Sequence, residues 1–437
     1  MTLALVGSGL LALLNTTVIG AVLPAMIADL DMAPANAHWV STGYLLAAGV
    51  AIPLGGWASL RFGLRSTWLV AMVIFTIGSA GSGFAGDGAS VIAFRIVQGF
   101  GGGMLEPLML TAMAVAAGPQ KVGRVMGAVS AVMSLGPLAG PALGGLAVET
   151  LGWQAPLIAS FASGVLLLVG GWASLGREKG STISLDVPGL ILVSVATTTG
   201  LWGLTEFASS EPTYLFAAGA ILIAAIALLL FINRARVLGS MAFVDLTLFA
   251  VPGFGMAVFI MSMVGLAVYP LFFGLPQFYQ SVAGLEPSVS GLLMVPYGLG
   301  TLVVMPFAGW LNDRVPARII VPFGAGIAIV AFSILLWLGT AMAWQGYALL
   351  SLGIGLGLGS IGSPTVASLY RALPATATPA GSTILFVCMQ LGGALGVAML
   401  VVLMGSSEWP ADIGTLPFIA PIVALAVIAI ASQRLGR

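Results

Sequence analysis

Glu106 is the one acid placed well inside an apolar stretch of this chain, and Arg95 is the one base so placed. The two are eleven residues apart. In a helix that is three turns, so they share a face and stand roughly 16 Å apart along the axis. They are too distant for a direct ion pair. Gly99, Gly101, Gly102 and Gly103 lie between them and let a neighbour or a ligand come close to the backbone. Each charge inside a membrane costs about 3 kcal/mol or more, so such groups face a cavity or a partner. Apolar walls favour the neutral form of an acid, and Glu106 then exchanges a proton near neutral pH. The plainer alternative is an acid that keeps its proton and hydrogen-bonds a neighbouring helix. Arg95 reads equally as a fixed cation that pins helices through backbone carbonyls.

Elements that could hold such residues follow from composition. Of 437 residues, 59% are hydrophobic and 6% are charged. A soluble domain carries about 25% charged residues, so lipid is the solvent here. Zero net charge leaves no footprint for nucleic acid. The lone Cys388 excludes an intrachain disulfide and a cysteine metal cluster, and no metal or cofactor is expected. The first apolar stretch is long, lacks a basic leader and reads as a span.

Apart from Arg95, the bases fall in one set of alternate loops: Arg61 and Arg65, Lys121 and Arg124, Arg177 and Lys179, Arg234 and Arg236, Arg314 and Arg318, Arg371, then Arg434 and Arg437. The other loops carry acids: Asp29 and Asp31, Asp87, Glu149, Glu206 and Glu211, Glu286, Glu408 and Asp412. Positive loops stay in the cytoplasm, which predicts an even number of spans with both termini inside. The expected setting is the cell inner (plasma) membrane. A span needs about 20 apolar residues. Fourteen are predicted: 4–27, 39–60, 66–86, 89–115, 123–147, 153–175, 187–207, 213–233, 249–276, 288–311, 317–339, 342–368, 376–404 and 414–433. Trp39, Trp153, Trp344 and Trp409 fall at span ends as an aromatic belt.

An internal repeat orders them. Gly56-Trp57 with Arg61 and Arg65 aligns without gaps on Gly309-Trp310 with Arg314 and Arg318. Repeated halves predict two bundles that rock about a midplane site. The expected units are a first six-helix bundle in 1–176, two extra helices in 187–233 and a second six-helix bundle in 245–437. The pair in the middle is expected to be peripheral. Gly136, Gly140 and Gly144 form a small-residue stripe with Pro137 and Pro141 at the same spacing, and Gly392 and Gly396 form another. Such stripes let helix backbones approach closely in lipid.

Several motifs, in order, resemble one family. They are Leu14-Asn15-Thr16-Thr17 running to Pro24, Trp39 to Leu46, Arg95-Ile96-Val97-Gln98-Gly99, Gly140-Pro141-Ala142-Leu143-Gly144-Gly145, and Leu275 to Gln280 with Gly291 and Pro296. Together the chain resembles the major facilitator superfamily, in its fourteen-span drug:proton antiporter branch. The resemblance implies an all-α polytopic membrane protein of two six-helix bundles plus two helices. It implies that Arg95 influences proton binding from the fourth span. It also implies that the glycine stripes of the fifth and thirteenth spans seal the bundles against each other.

Two positions depart from the pattern. Asn15 stands where the branch has an acid, and Leu60 stands where the loop motif has one, although its second copy keeps Asp313. Asn15, Tyr44, Gln98, Tyr297 and Gln390 are the candidates for the substrate cavity. Arg61, Arg65, Gly140, Pro141, Gly144, Asp313, Arg314 and Arg318 are the candidates for conformational gating.

The reading is proton-coupled efflux of amphipathic small molecules by a monomer. A facilitator or metabolite exporter without proton coupling is the alternative, and Asn15 favours it. No Walker-type phosphate loop is present, so a gradient is the natural energy source. An enzyme is disfavoured, because His38 lies in an external loop and Glu106 has no paired acid. A receptor or ligand sensor of the same fold is a third class, which transport in sealed vesicles would discriminate.

Overall fold

The computed structural model describes residues 1–32, 39–176, 180–181, 185–207, 213–239, 242, 244–285, 287–339, 342–374, 376–404 and 418–435. His38, Arg177, Lys179, Glu211, Glu286, Glu408, Trp409, Asp412 and Arg437 lie outside them, as do the side chains of Pro137, Pro141, Glu149, Gln277 and Gln280. Among the described residues the regular structure is helical throughout.

The first bundle comprises α1 (Thr2–Asp29), α2 (Trp39–Phe62), α3 (Leu64–Gly83), α4 and α5, and α6 (Ala155–Ser174). Helices α4 and α5 form one continuous run, Gly88–Thr150, that breaks at Gly118 with φ 67° and ψ 169°. Only glycine takes that backbone without strain, and it separates α4 (Gly88–Gly118) from α5, residues 119–150. Asp87 caps α4 by accepting from the Ser90 amide at 2.9 Å. That bond and one from the Ser90 hydroxyl hold the Asp87 carboxyl below the usual carboxylate range.

The inserted pair is α7 (Val187–Phe207) and α8 (Tyr214–Leu238). Asp186 staples its ends by accepting from the Gly189 amide at 3.0 Å and pairing with Arg234 at 2.7 Å. The second bundle comprises α9 (Phe254–Ser281), α10 (Met294–Asn312, after the short helix Pro287–Leu292), α11 (Ala317–Leu338), α12 (Trp344–Ala372), α13 (Thr378–Met404) and α14 (Ile419–Ala431). Ten helices of the described residues are long and apolar enough to cross a membrane. The outer faces are apolar: Leu166, Leu215, Phe323, Trp337 and Leu349 are each more than two-thirds exposed. A soluble protein rarely shows such a surface, and lipid covers it at no cost.

The repeat extends beyond the loops. At one offset Pro53 matches Pro306, Gly56 matches Gly309 and Tyr44 matches Tyr297. Packing obeys the same symmetry. A Cβ at Gly99 would stand 2.2 Å from the Tyr44 carbonyl, and one at Gly355 would stand 2.1 Å from the Tyr297 carbonyl. Both glycines let the fourth helix of a bundle press on the second.

The glycine stripes do not face the opposite bundle, which corrects the expectation for Gly140 and Gly144. A Cβ at Gly136 would meet Leu13, one at Gly140 would meet Thr17, and one at Gly144 would meet Val18 and Ala21, all on α1. The Thr17 hydroxyl donates to the Gly136 carbonyl at 3.0 Å. Gly392 and Gly396 press in the same way on Ser262 and Leu266 of α9. Each stripe therefore closes its own bundle.

Candidate functional site

The bundles meet at the end that carries the basic loops, through the repeated Gly-Trp glycines. A Cβ at Gly309 of α10 would stand 2.3 Å from the Gly123 carbonyl and 2.8 Å from the Gly127 Cα, both on α5. A Cβ at Gly56 of α2 would stand 2.3 Å from the Thr383 hydroxyl of α13. The fifth and thirteenth spans do touch the opposite bundle, but by their starts rather than their stripes. The Thr111 hydroxyl of α4 bonds Ser382 of α13 at 2.7 Å, and Tyr370 bonds Ser382 at 2.8 Å.

Asp313 fastens this closure. Its carboxylate accepts from the Gly123 and Arg124 amides at 3.0 Å each, near the N-terminal end of α5, where the helix dipole favours an anion. Arg371 pairs with the same carboxylate at 2.8 Å. Arg314 and Arg318 do not join it: Arg314 lies 4.3 Å over the Trp310 ring, and Arg318 receives a bond from Gln433 on its carbonyl. The first copy of the loop works differently, because Leu60 offers no carboxylate. Arg61 donates to the Ser181 carbonyl at 3.2 Å and Arg65 to the Trp172 carbonyl at 2.6 Å. Ser181 in turn donates to the Leu60 carbonyl from its amide and its hydroxyl. This loop grips the end of α6 and the segment leading to α7, not the other bundle.

Among the described residues the closure therefore has one charged fastening. Asp313→Asn keeps the shape and removes the charge. Hydrogen bonds to charged groups contribute about 1.5–3 kcal/mol. The expected result is at least a fivefold faster labelling of a cysteine placed at Thr111, in a Cys388→Ser background, by a thiol reagent reaching the basic face. Unchanged labelling would mean that the glycine contacts hold the face shut unaided.

Toward the other end, Arg95 is buried at 1% exposure beside Gln98 at 0% and Asn15 at 3%. Its Nε donates to the Val40 carbonyl at 3.1 Å, and its Nη1 donates to Asn15 Oδ1 at 3.1 Å and to Gln98 Oε1. Gln98 donates to Asn15 Oδ1 at 2.9 Å and to Ser79 at 2.7 Å, and Asn15 donates to Ser160. The guanidinium also stacks 4.4 Å over the Tyr44 ring. The network around this cation ties five helices: Arg95 joins α4 to α1 and α2, Gln98 reaches α3, and Asn15 reaches α6. The pinning of backbone carbonyls is thus realised, with amides added. Asn15 and Gln98 are interior members of this network and do not line open space, which corrects their place as cavity residues. Asn15 supplies its oxygen to two donors and its amide to Ser160, a set that one carboxylate could not reproduce.

Glu106 is separate from the network. It is half-buried near the middle of its span, and its carboxyl has no hydrogen bond or ion pair among the described residues. The alternative of an acid bonded to a neighbouring helix is therefore not what the structure holds. Two phenols lie within its electrostatic reach, Tyr44 of its own bundle and Tyr269 of the other. Tyr269 donates to Gln390 Oε1. Gln390 also borders a small pocket with Gly49 and Ile52 of α2, Val387 and Leu391 of α13, and Thr197 of α7. The inserted helix α7 thus packs on both α2 and α13, where the bundles adjoin. Tyr297 stands apart, 7% exposed and edge-on to Phe272 at 5.9 Å. In the second bundle the position matching Glu106 is Gly362, and a Cβ there would meet nothing within 4 Å. One bundle supplies the acid and the other supplies space.

Two six-helix bundles related by an internal repeat and packed on each other are an architecture of membrane transporters. A family model described as Major Facilitator Superfamily matches residues 5–397, and the chain belongs to that family. Members are transporters and not enzymes. The chain is 32% identical over 410 residues to the multidrug resistance protein B homolog of Mycobacterium tuberculosis (strain ATCC 25618 / H37Rv), covering 91% of this chain and 74% of that one. It is 31% identical to the tetracenomycin C resistance and export protein of Streptomyces glaucescens, with 90% and 73% covered. It is 30% identical to the cephamycin export protein CmcT of Amycolatopsis lactamdurans, with 93% and 85% covered. Among solved structures, the proton:xylose symporter XylE superposes with a TM-score of 0.69 over 98% of this chain and 94% of that one, at 16% identity. That likeness concerns the fold alone.

Proposed function

We propose that the protein exports amphipathic small molecules across the cell inner (plasma) membrane by alternating access, driven by protons entering through Glu106. The observation that carries this reading is the Glu106 carboxyl inside α4, which has no hydrogen bond or ion pair among the described residues. The names of the relatives, which concern multidrug resistance and antibiotic export, support the substrate class. A proton crossing about 150 mV releases roughly 3.5 kcal/mol, enough for a gradient of about 300-fold.

In this reading the basic face is cytoplasmic, both termini lie inside, and the protein acts as a monomer in lipid. Residues 1–176 and 245–437 are the rocking bundles, and 187–233 is a peripheral pair that covers their seam. The closed basic face then corresponds to a cavity open outward. A proton from outside neutralises Glu106, which removes an unpaired charge from the seam and lets the bundles re-pair at the outer end. Asp313 lets go of α5 as the cytoplasmic face opens. Substrate enters from inside, the proton leaves to the cytoplasm, and the cycle returns. Arg95 does not touch the acid; it fixes α4 against its neighbours and thereby positions Glu106. Gating by Arg61 acts through the segment before α7, and gating by Arg65 acts through the end of α6. Gly140 and Gly144 act by letting α5 pack closely on α1.

Asn15 favours a second reading, transport without proton coupling, because no carboxylate stands beside Arg95. Proteoliposomes separate the two. With an imposed pH gradient, the coupled exporter accumulates a lipophilic substrate against its gradient. An uncoupled one shows counterflow at the same rate with or without the pH gradient, and that result would end the coupled reading.

A further inference from the structure

The two copies of the Gly-Trp loop fasten different things. At one offset Leu60 matches Asp313 and Arg61 matches Arg314. Asp313 holds the opposite bundle. The first copy holds a strap, and it does so largely with backbone. The last carbonyls of a helix have no partner within it. At the end of α2 the Leu60 carbonyl accepts from the Ser181 amide at 2.9 Å and from the Ser181 hydroxyl at 2.8 Å. Arg61 returns a bond to the Ser181 carbonyl at 3.2 Å. A Cβ at Gly180 would collide with the backbone of Arg61 and Phe62, so the strap lies flat against α2. Asp186 then caps α7 and pairs with Arg234 of α8. A Cβ at Gly203 of α7 would stand 3.0 Å from the Ala217 carbonyl of α8. Strap, staple and helix contact join α2, α7 and α8 in one series of polar and backbone contacts.

The ties to the second bundle differ in kind. Thr197 of α7 shares the small pocket with Val387, Gln390 and Leu391 of α13, but it donates its hydroxyl to the Val193 carbonyl of its own helix at 2.9 Å. The hydroxyls of Ser194 and Thr198 on the same helix are buried without a partner. Among the described residues none of these hydroxyls reaches α13. Past α8 the helix ends at Gly239, with φ 57°, a backbone that favours glycine. The 3-10 turn Leu246–Ala250 beyond it belongs with the second bundle, where Phe249 packs edge-on against Phe254 of α9 at 5.5 Å. Hydrogen bonds are directional and fix register, whereas apolar contact is not and permits sliding. We infer that the inserted pair is carried by the first bundle. Gly180 and Ser181 are the positioning residues that lock α7 and α8 to α2, and α13 slides beneath α7 when the basic face opens. The pair is a cover fixed on one side of the seam and free on the other. The slide rests on the alternating-access reading above; the lock does not.

The test measures distances between pairs of nitroxide labels on full-length protein in lipid nanodiscs, in a Cys388→Ser background. Cysteines placed at Val70 of α3, Val237 of α8 and Ile319 of α11 carry the labels; all three positions are exposed and lie toward the helix ends next to the basic loops. Gly180→Ala pushes the strap off α2. It is expected to lengthen and broaden the Val70–Val237 distance and to leave Val70–Ile319, which reports the two bundles, as it is without the substitution. Ser181→Ala removes one of the two bonds to Leu60 and should act in the same direction more weakly. An unchanged Val70–Val237 distance in Gly180→Ala would overturn the lock. So would an equal change in both distances, because the strap would then hold the bundles and not the pair. In Gly309→Leu, which wedges the basic face open, Val237–Ile319 should lengthen by about 5 Å, the scale of one helical turn, and Val70–Val237 should not. The reverse pattern would mean that the second bundle carries the pair and would overturn the inference. The alternating-access reading fails separately, if Val70–Ile319 stays the same in Gly309→Leu.

Discussion

Glu106→Gln is expected to abolish accumulation against a gradient while sparing downhill exchange. Glutamine matches glutamate in shape but cannot ionise, so the variant stays in the neutral form throughout the cycle. Glu106 has no hydrogen bond or ion pair among the described residues, so the substitution breaks no contact that holds the fold. The loss falls on coupling alone. In proteoliposomes with an imposed pH gradient, uphill accumulation should drop from about 300-fold to none. Exchange of labelled for unlabelled substrate should stay within about threefold of wild type, because the neutral acid is the form that permits the bundles to move. Preserved accumulation in this variant would place coupling elsewhere.

Gly309→Leu should stop the cycle by wedging the basic face. The Cβ would stand 2.3 Å from the Gly123 carbonyl and 2.8 Å from the Gly127 Cα, and both obstacles are backbone. No rotamer relieves such a contact, so α10 and α5 must part. The expected effects are at least tenfold slower exchange and rapid labelling of a cysteine at Thr111 from the basic face. Gly20→Leu is the control, since a Cβ at Gly20 meets nothing within 4 Å. Gly140→Leu should behave differently from both. Its clash is with Thr17 inside the first bundle, so it should lower yield and melting temperature instead of trapping an open face. If Gly309→Leu exchanges normally, the seam between α5 and α10 is not the closing contact.

The contrast among these glycines marks how far sequence carries. Fourteen helices were legible because span length and basic loops are fixed by the bilayer, and ten of them, among the described residues, are long and apolar enough to cross it. The Gly-Trp repeat was legible for the same reason, and it led to the closing contacts at Gly56 and Gly309. The direction of the glycine stripe was not. Spacing by four places Gly136, Gly140 and Gly144 on one face, but nothing along a helix says which neighbour that face meets. Glu106 stood out because an acid in lipid is conspicuous alone.

The network of Arg95 was only half legible, since Asn15 and Gln98 were marked but Ser79, Ser160 and the Val40 carbonyl come from three other helices. Arg371 counted only as one more basic loop residue, and its pairing with Asp313 needed the fold. Tyr269 went unnoticed although Tyr297 was named, because its partner Gln390 stands 121 residues away. The available signal was Gly393, a glycine inside α13 that frees room for a ring.

The most direct test of the account is proton release. Purified wild type in weakly buffered detergent at pH 7, given a saturating lipophilic substrate, should release up to one proton per protein as Glu106 gives way. Glu106→Gln should bind a neutral substrate and release none. Release of the same size from Glu106→Gln, or none from wild type at saturation, would contradict the claim that this carboxyl couples protons to transport.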